Sequence, residues 1–310
     1  MADSINQYMK KKGVALTRLA RDFMNYTQGD RIPTIAEYAD RFQTARGTVQ
    51  DAMKALLSDG CVQIAKRGRL GSCIEAIDYD RVWPFTDWGV IMGAMPLPRG
   101  TQLEGLATAI YELMERRKIP FNFGYMAGAE LRVTALLNRK YDFIIASKAT
   151  ANTVLQQCDD LLEVLQFKPH SFLRSHVLIL NDEEENGIRD GMRVGICTTS
   201  PDQRDMTYKL CADKHVELVN YHYNELAEAV ATGRIDAAVY NLDMLRTMQL
   251  RPLKHITLGE DVMGEDSTIA TLLIRKDTYG LANLLRNIID EDEVERIQRE
   301  VMEERMIPRY

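Results

Sequence analysis

Residues 31–74 read RIPTIAEYADRFQTARGTVQDAMKALLSDGCVQIAKRGRLGSCI, and this stretch decides the fold of the N-terminal part of the chain. Apolar residues recur at i, i+3, i+4 and i+7 within 35–42 and again within 49–56. This spacing predicts two amphipathic helices, each with one buried face. The two helices are separated by a short turn at residues 44–47, Thr-Ala-Arg-Gly, as in a helix-turn-helix.

The segments on either side complete a larger pattern. Residues 16–23 carry the same helical spacing, so we expect a third helix ahead of the pair. Residues 61–64 and 72–74 are β-prone, and the sequence AKRGRLG at 65–71 connects them. A glycine-rich hairpin tip with three cations is typical of the wing of a winged helix. The alternative interpretation is a small helical bundle with a basic loop.

The charge distribution favours a polyanionic partner for this region. Residues 1–75 carry 12 Lys and Arg against 8 Asp and Glu, a net charge of +4. The rest of the chain carries −10, which gives the overall net charge of −6. A basic N-terminal region on an acidic body suits local contact with nucleic acid, although an excess of four charges is weak evidence without the motif.

Three short motifs resemble the GntR-type winged helix. They are RIPT at 31–34, TVQDA at 48–52 and LLSDG at 56–60. Together with the C-terminal half, the whole chain resembles the YhfZ family of proposed transcriptional regulators. The resemblance implies that Arg46 and Thr48 lie where the GntR recognition helix meets DNA. Ala36 and Ala45 replace an arginine and a serine of that pattern, which predicts fewer phosphate contacts.

We therefore predict an N-terminal winged helix-turn-helix that binds double-stranded operator DNA. The first turn of its recognition helix would enter the major groove, and the wing would reach phosphates or a minor groove. A homodimer would place two such helices on neighbouring half-sites. The predicted DNA-binding residues are Thr34, Thr44, Arg46, Thr48, Gln50, Lys66, Arg67 and Arg69.

Strand and helix patterns alternate in the C-terminal part. The predicted domains are the winged helix-turn-helix at 1–76, a linker at 77–87, and an α/β domain with mainly parallel strands at 88–310. Residues 136–145 and 229–239 match each other, since both read helix end, polar turn, Asp and apolar strand. This repeat resembles the type 2 periplasmic-binding-protein fold, also found as the effector domain of LysR-type regulators. The resemblance implies two lobes around a cleft, with Asp142 and Asp236 in structural roles.

Ligands of open α/β sheets bind beyond the carboxyl ends of the strands. The hydroxyls of Thr198, Thr199 and Ser200 gather there at a predicted helix N-terminus, which favours an anion, although these residues could equally be simple helix caps. We expect a small anionic metabolite as the ligand. The predicted ligand-binding residues are Met95, Ser147, Lys148, Arg174, Thr198, Thr199, Ser200, Tyr240 and Asn241.

Other classes of protein find little support in the sequence. There is no apolar run long enough to span a membrane, no signal-peptide pattern, and the five cysteines are scattered, so we expect a cytoplasmic protein with reduced thiols and no membrane partner. We find no metal-ligand spacing, nucleophile elbow, P-loop or dinucleotide motif, and we predict no enzyme activity, catalytic residue, metal or cofactor. A solute-binding protein or enzyme of the same fold, and a winged helix that contacts protein, remain the alternatives.

Overall fold

The computed structural model describes residues 11–66, 68 and 71–310, and the chain divides into two compact units. The first unit contains the chain up to Ile91 with the segments 114–120 and 277–288. The second contains residues 92–113, 121–276 and 289–310. Two segments from within the predicted 88–310 domain therefore cluster with the N-terminal unit.

Three helices form the core of the first unit. They are α1 (Lys11–Phe23), α2 (Ile35–Phe42) and α3 (Arg46–Ser58). Their apolar stripes face one another and are buried, as the helical spacing predicts. The largest fully buried side chains of this core are Leu19, Phe23, Met24, Tyr38 and Leu56.

A small antiparallel sheet completes the winged helix. The strands are β1 (Arg31–Ile32), β2 (Val62–Lys66) and β3 (Ser72–Ile77), in the order β1-β3-β2. The pairing of β2 with β3 confirms the predicted hairpin. Sequence patterning missed β1, because two residues are too few to show an alternation of polar and apolar side chains.

The segment predicted as a linker, 77–87, contains helix α4 (Tyr79–Thr86). The Asp78 carboxylate caps it by accepting a hydrogen bond from the backbone N–H of Arg81 at 3.2 Å. Val82 and Trp83 are buried, so this helix is part of the packed unit. It packs with α12 (Tyr279–Ile288), whose Asn283 amide donates to the carbonyl of Met24 at 2.9 Å.

The second unit has two lobes, each built on a five-stranded sheet. The first sheet has the order β5-β4-β6-β13-β7. Its strands are β4 (Ile91–Met95), β5 (Phe121–Tyr125), β6 (Phe143–Ser147), β7 (Leu161–Gln166) and β13 (Ala270–Arg275). Helices α5 (Thr101–Arg116), α6 (Ala129–Leu137) and α7 (Lys148–Gln157) connect these strands.

The second lobe repeats this plan with the order β10-β9-β11-β8-β12. Its strands are β8 (His176–Leu180), β9 (Arg193–Ile196), β10 (Glu217–Asn220), β11 (Ala237–Asn241) and β12 (Lys254–Thr257). Its helices are α8 (Pro201–Cys211), α9 (Leu226–Ala231), α10 (Leu242–Thr247) and α11 (Glu260–Met263), and α13 (Glu291–Met302) ends the unit. Every helix in the described part of the chain is too short or too polar to cross a bilayer.

The prediction of mainly parallel strands is confirmed, with one reversed strand in each sheet. Strand β13 runs antiparallel to β6 and β7, and β8 runs antiparallel to β11 and β12. The chain enters both of these strands from the other lobe, after β7 in one case and after β12 in the other, which reverses their direction. The apolar pattern cannot show this reversal, since buried strands look alike in either direction.

Asp142 and Asp236 confirm the internal repeat and its structural reading. The Asp142 carboxylate accepts from the backbone N–H of Met92 at 2.8 Å, and its own N–H donates to the Met92 carbonyl at 2.7 Å. Asp236 makes the same pair of bonds with the backbone of Arg193, at 2.7 and 2.8 Å. Each aspartate thus ties the start of one strand to the start of its neighbour.

Candidate functional site

The N-terminus of α3 is open to solvent. Its N-cap residue is Ala45, which supplies no side-chain hydrogen bond, and the first turn contains no acidic residue. The first N–H groups of the helix therefore remain available, and the helix dipole favours a negative charge in front of them. Such a terminus suits a phosphate oxygen.

The polar face of α3 points to solvent because its opposite, apolar face is packed in the core. Val49, Ala52 and Leu56 are buried in the core, which fixes the rotation of the helix. Arg46 and Gln50 are exposed, and helical spacing puts them on one face together with exposed Lys54. Lys54 was not among the predicted residues, although the same i+4 spacing identifies it.

The other predicted DNA-binding residues divide into four groups. Thr34 caps α2, since its hydroxyl accepts from the Glu37 N–H at 3.3 Å and Glu37 returns a bond to the Thr34 N–H at 2.6 Å. These bonds hold the pKa of Glu37 below its ordinary value. Thr44 and Thr48 are half-buried beside the turn, while Lys66 is exposed at the end of β2. Arg67 and Arg69 lie outside the described residues.

The second unit contains a cavity of about 80 Å³ between its two lobes. The first lobe contributes Arg132 from α6 and the hydroxyls of Ser147 and Thr150 at the β6–α7 junction. The second lobe contributes Asp202 from α8 and His176 from β8. The apolar part of the wall includes Leu97, Leu103, Phe172, Leu173 and Met244.

Arg132 is the buried cation of this cavity, with 3% of its surface exposed. Its Nε donates to the carbonyl of Ile145 at 3.1 Å, and its Nη1 donates to the carbonyl of Met126 at 2.7 Å. Both acceptors are neutral, so they orient the guanidinium without cancelling its charge. Burial lowers the pKa of Arg132 to about 10, and the group stays charged at neutral pH.

Asp202 is the half-buried anion on the other side. Its carboxylate accepts hydrogen bonds from the hydroxyl of Ser147 and, at 2.9 Å, from the hydroxyl of Thr150. Burial raises the pKa of Asp202, while these two hydroxyls act in the opposite direction. The two bonds connect the lobes, because Ser147 and Thr150 belong to the first lobe and Asp202 belongs to the second.

His176 is the third polar group. Its side chain is 3% exposed, and burial lowers its pKa to about 4, so the imidazole is neutral at pH 7. The Nδ1 atom is buried and has no hydrogen-bond partner among the described residues. A buried polar atom left in this state is costly, and native sites of this kind usually complete the bond with a ligand or a water molecule.

Two family models match consecutive parts of the chain. A helix-turn-helix domain model matches residues 27–74, and the YhfZ C-terminal domain model matches residues 78–310. The uncharacterized protein YhfZ of Escherichia coli (strain K12) is 32% identical over 303 residues, which cover 98% of this chain and 99% of the relative. The chain belongs to the YhfZ family.

Solved structures confirm the fold of this YhfZ family member. The crystal structure of YhfZ from Shigella flexneri aligns with a TM-score of 0.61 at 31% identity, over 74% of this chain and 97% of that one. An ancestral arginine-binding protein bound to arginine aligns with a TM-score of 0.50 at 17% identity, over 70% of this chain and 96% of that one. The second likeness shows a shared periplasmic-binding-protein-like fold.

Only part of the predicted ligand set lies on the cavity wall of this YhfZ protein. Ser147, Ser200 and Asn241 line it. Asn241 also caps α10, since its side-chain oxygen accepts from the backbone N–H of Asp243 and of Met244.

The remaining predicted residues lie elsewhere in the same unit. Met95 is buried in β4, and Tyr240 is buried behind Tyr223, on which its ring stacks. Lys148 donates to Gln166 and pairs with Glu163 at 3.5 Å. Thr198 is exposed and bonds Asn220, while Thr199 contacts the Gly128 turn.

Arg174 differs most from its prediction. It was expected on a strand that crosses between the lobes, but β8 begins only at His176, and Arg174 is an exposed bend residue. Its backbone N–H donates to the Asp243 carboxylate at 3.1 Å. Phe172 and Leu173, beside it in sequence, line the cavity instead.

The groups that sequence reasoning missed are Arg132, Thr150, His176, Asp202 and Tyr223. Arg132 stands within the helical stripe of α6, where a charged residue usually faces solvent. A signal existed for His176, which opens the otherwise apolar run His-Val-Leu-Ile-Leu at 176–180. Asp202 follows Ser200 by two positions. The predicted helix N-terminus therefore does reach the cavity, but it contributes a carboxylate as well as the predicted hydroxyl of Ser200.

Proposed function

We propose that this YhfZ family member is a DNA-binding transcriptional regulator whose cavity binds a small metabolite with an anionic group. The observation that carries the proposal is a helix-turn-helix with an open, cationic α3 N-terminus in the same chain as a two-lobed domain with a charged cavity. A solute carrier or an enzyme of this fold would leave the first of these features without a role.

The surface of α3 supports binding to duplex DNA. Arg46 has no hydrogen-bond or ion-pair partner among the described residues, so no protein contact has to break before it reaches a base or a phosphate. Gln50, one turn further on, can pair with adenine or with a phosphate. Lys66 stands at the start of the wing, where it can contact the phosphate backbone.

The cavity supports an anionic group on the ligand, although through other residues than the sequence predicted. Arg132 is a buried cation whose hydrogen-bond acceptors are both neutral carbonyls. A carboxylate or phosphate oxygen would supply the missing negative charge. Thr198, which is exposed, and Thr199 lie outside the cavity wall and do not support the proposal.

We also propose that the protein acts in the cytoplasm as a homodimer and binds its ligand without turnover. Two copies would place their α3 helices on half-sites roughly 34 Å apart, one turn of the duplex. Ligand binding would change operator affinity if it altered the spacing of the two helices.

The first experiment selects bound duplexes from random DNA with the full chain at physiological salt, and then titrates the recovered site. We expect Arg46→Ala to weaken binding and to reduce the salt slope by about 1, since one phosphate or base-edge cation is removed. Lys214→Ala removes the same charge from an exposed position in the second unit and serves as the control. Recovery of no duplex above background, or equal titrations for the two variants, would contradict the proposal.

A further inference from the structure

The cavity wall contains two charged groups of opposite sign, the buried Arg132 and the half-buried Asp202, that do not pair with each other directly. Arg132 and Asp202 both line it, yet within the described residues no nitrogen–oxygen contact of 4 Å or less joins them. The charge of each group acts on the pKa of the other, in favour of the ionised form. A charge withdrawn from solvent without an oppositely charged partner is unfavourable, and a ligand that contacts both groups would supply a partner to each.

Arg132 can bind an anionic group without rearranging. Ile145 and Met126 hold the Nε and Nη1 atoms through their carbonyl oxygens. A guanidinium has five N–H donors in a fixed fork, so donors remain beyond these two bonds. With its plane fixed by neutral acceptors, the group is prepared for a carboxylate.

Asp202 can bind a cationic group in the same way. Ser147 and Thr150 donate one hydroxyl to each of its oxygens, and an ionised carboxylate accepts about four hydrogen bonds in all. Its two donors are neutral, so they do not offset the negative charge of the ionised carboxylate. Acceptor sites remain on both oxygens for an ammonium group.

The size of the cavity limits the number of atoms in a ligand that carries both an anionic and a cationic group. A water molecule needs on the order of 10–15 Å³ of such space, so about 80 Å³ admits on the order of five to eight non-hydrogen atoms. His176 lies in the same wall. A large cofactor or nucleotide does not fit these dimensions.

From this arrangement we infer that the ligand is a small zwitterion, with a carboxylate on Arg132, an ammonium group on Asp202 and a frame of only a few atoms. This inference rests on the proposed function, since it assigns a chemical class to the metabolite that the regulator binds. It replaces a net anion by a neutral molecule with separated charges.

Calorimetry on the full chain tests the class with matched probes. Alanine carries both groups, propionate lacks the ammonium group, and ethylamine lacks the carboxylate. We expect alanine, or glycine, serine or β-alanine of similar size, to bind at least about tenfold tighter than either half-molecule, because each half leaves one of the two charges unpaired. Propionate binding as tightly as the best amino acid, or no binding by any of the four amino acids, would overturn the inference.

Two variants separate a ligand contact from a merely structural role. Asp202→Asn should reduce the preference for alanine over propionate, and Arg132→Gln should reduce the preference for alanine over ethylamine. A structural defect would weaken all probes together and leave these ratios unchanged, which would count against the inference. Asp213→Asn, at an exposed carboxylate beyond α8, should leave both ratios unchanged.

The two proposals can fail separately. Operator binding is measured without ligand and depends on α3, whereas the probe ratios depend on the cavity alone. Loss of zwitterion selectivity with retained operator binding overturns only the ligand class.

Discussion

Two arginines, Arg46 and Arg132, show how differently the two units of this protein prepare a charge for binding. Arg46 opens α3 in full contact with solvent, where its charge costs little and its side chain is free. Arg132 is 3% exposed and held by two backbone carbonyls, so its charge is costly and its orientation is fixed. An exposed cation suits a long polyanion that approaches from outside, while a buried cation suits one small anion that fills its site.

The largest expected effect is on the pH dependence of the unfolding free energy. It arises at a buried histidine of the second unit and is not expected at an exposed one. The folded pKa of His176 is about 4, below the ordinary value of 6.5, so the unfolded chain takes up the proton first as pH falls. This contribution to stability is complete above about pH 6.5 and is lost as pH falls to about 4. Over that window it amounts to on the order of 3 kcal/mol of unfolding free energy.

Denaturant titrations at several pH values across this window check the prediction. Wild-type protein should lose more stability than His176→Gln, which cannot titrate. His215→Gln changes an exposed histidine and should behave like wild type. Parallel curves for wild type and His176→Gln would show that the imidazole does not stay neutral in the folded protein.

A smaller effect is expected at Arg46, on binding and not on folding. Arg46→Ala should weaken operator binding by about 1–3 kcal/mol, the usual range for a base-reading arginine. Its unfolding free energy should stay within about 0.5 kcal/mol of wild type, because the side chain is exposed and makes no hydrogen bond or ion pair within the described residues. Band-shift titrations and denaturant unfolding of the same samples give both numbers. A large loss of stability would mean that Arg46 belongs to the fold instead of the surface.

The smallest effect is expected at Thr34, which sequence reasoning placed with the DNA contacts. Its hydroxyl is already engaged in the capping box of α2. Thr34→Ala should therefore cost about 1 kcal/mol of unfolding free energy. Thr34→Ser, which keeps the hydroxyl, is the matched control. Unchanged stability together with weakened operator binding in Thr34→Ala would return this residue to the DNA surface.

The sequence by itself determined the winged helix and the two-lobed α/β plan. Period-3.6 stripes, a four-residue turn and a cationic glycine-rich hairpin are local features, and local features can be read in order along the chain. The repeat around Asp142 and Asp236 could also be recognised in the sequence. Both copies keep the aspartate because each one bonds to the start of its neighbouring strand in the same way. The exposed residues of α3 follow from the same periodicity.

Only the tertiary structure decided which groups face the cavity and which way the crossing strands run. Ser147 and Asp202 are 55 positions apart, and their hydrogen bond exists because the two lobes meet there. Arg132 has the local pattern of an ordinary helix residue, and the polar start of the apolar run at 176–180 does not by itself show that His176 lines a cavity. Burial and charge pairing depend on distant segments, so the binding chemistry became visible only once the lobes were assembled.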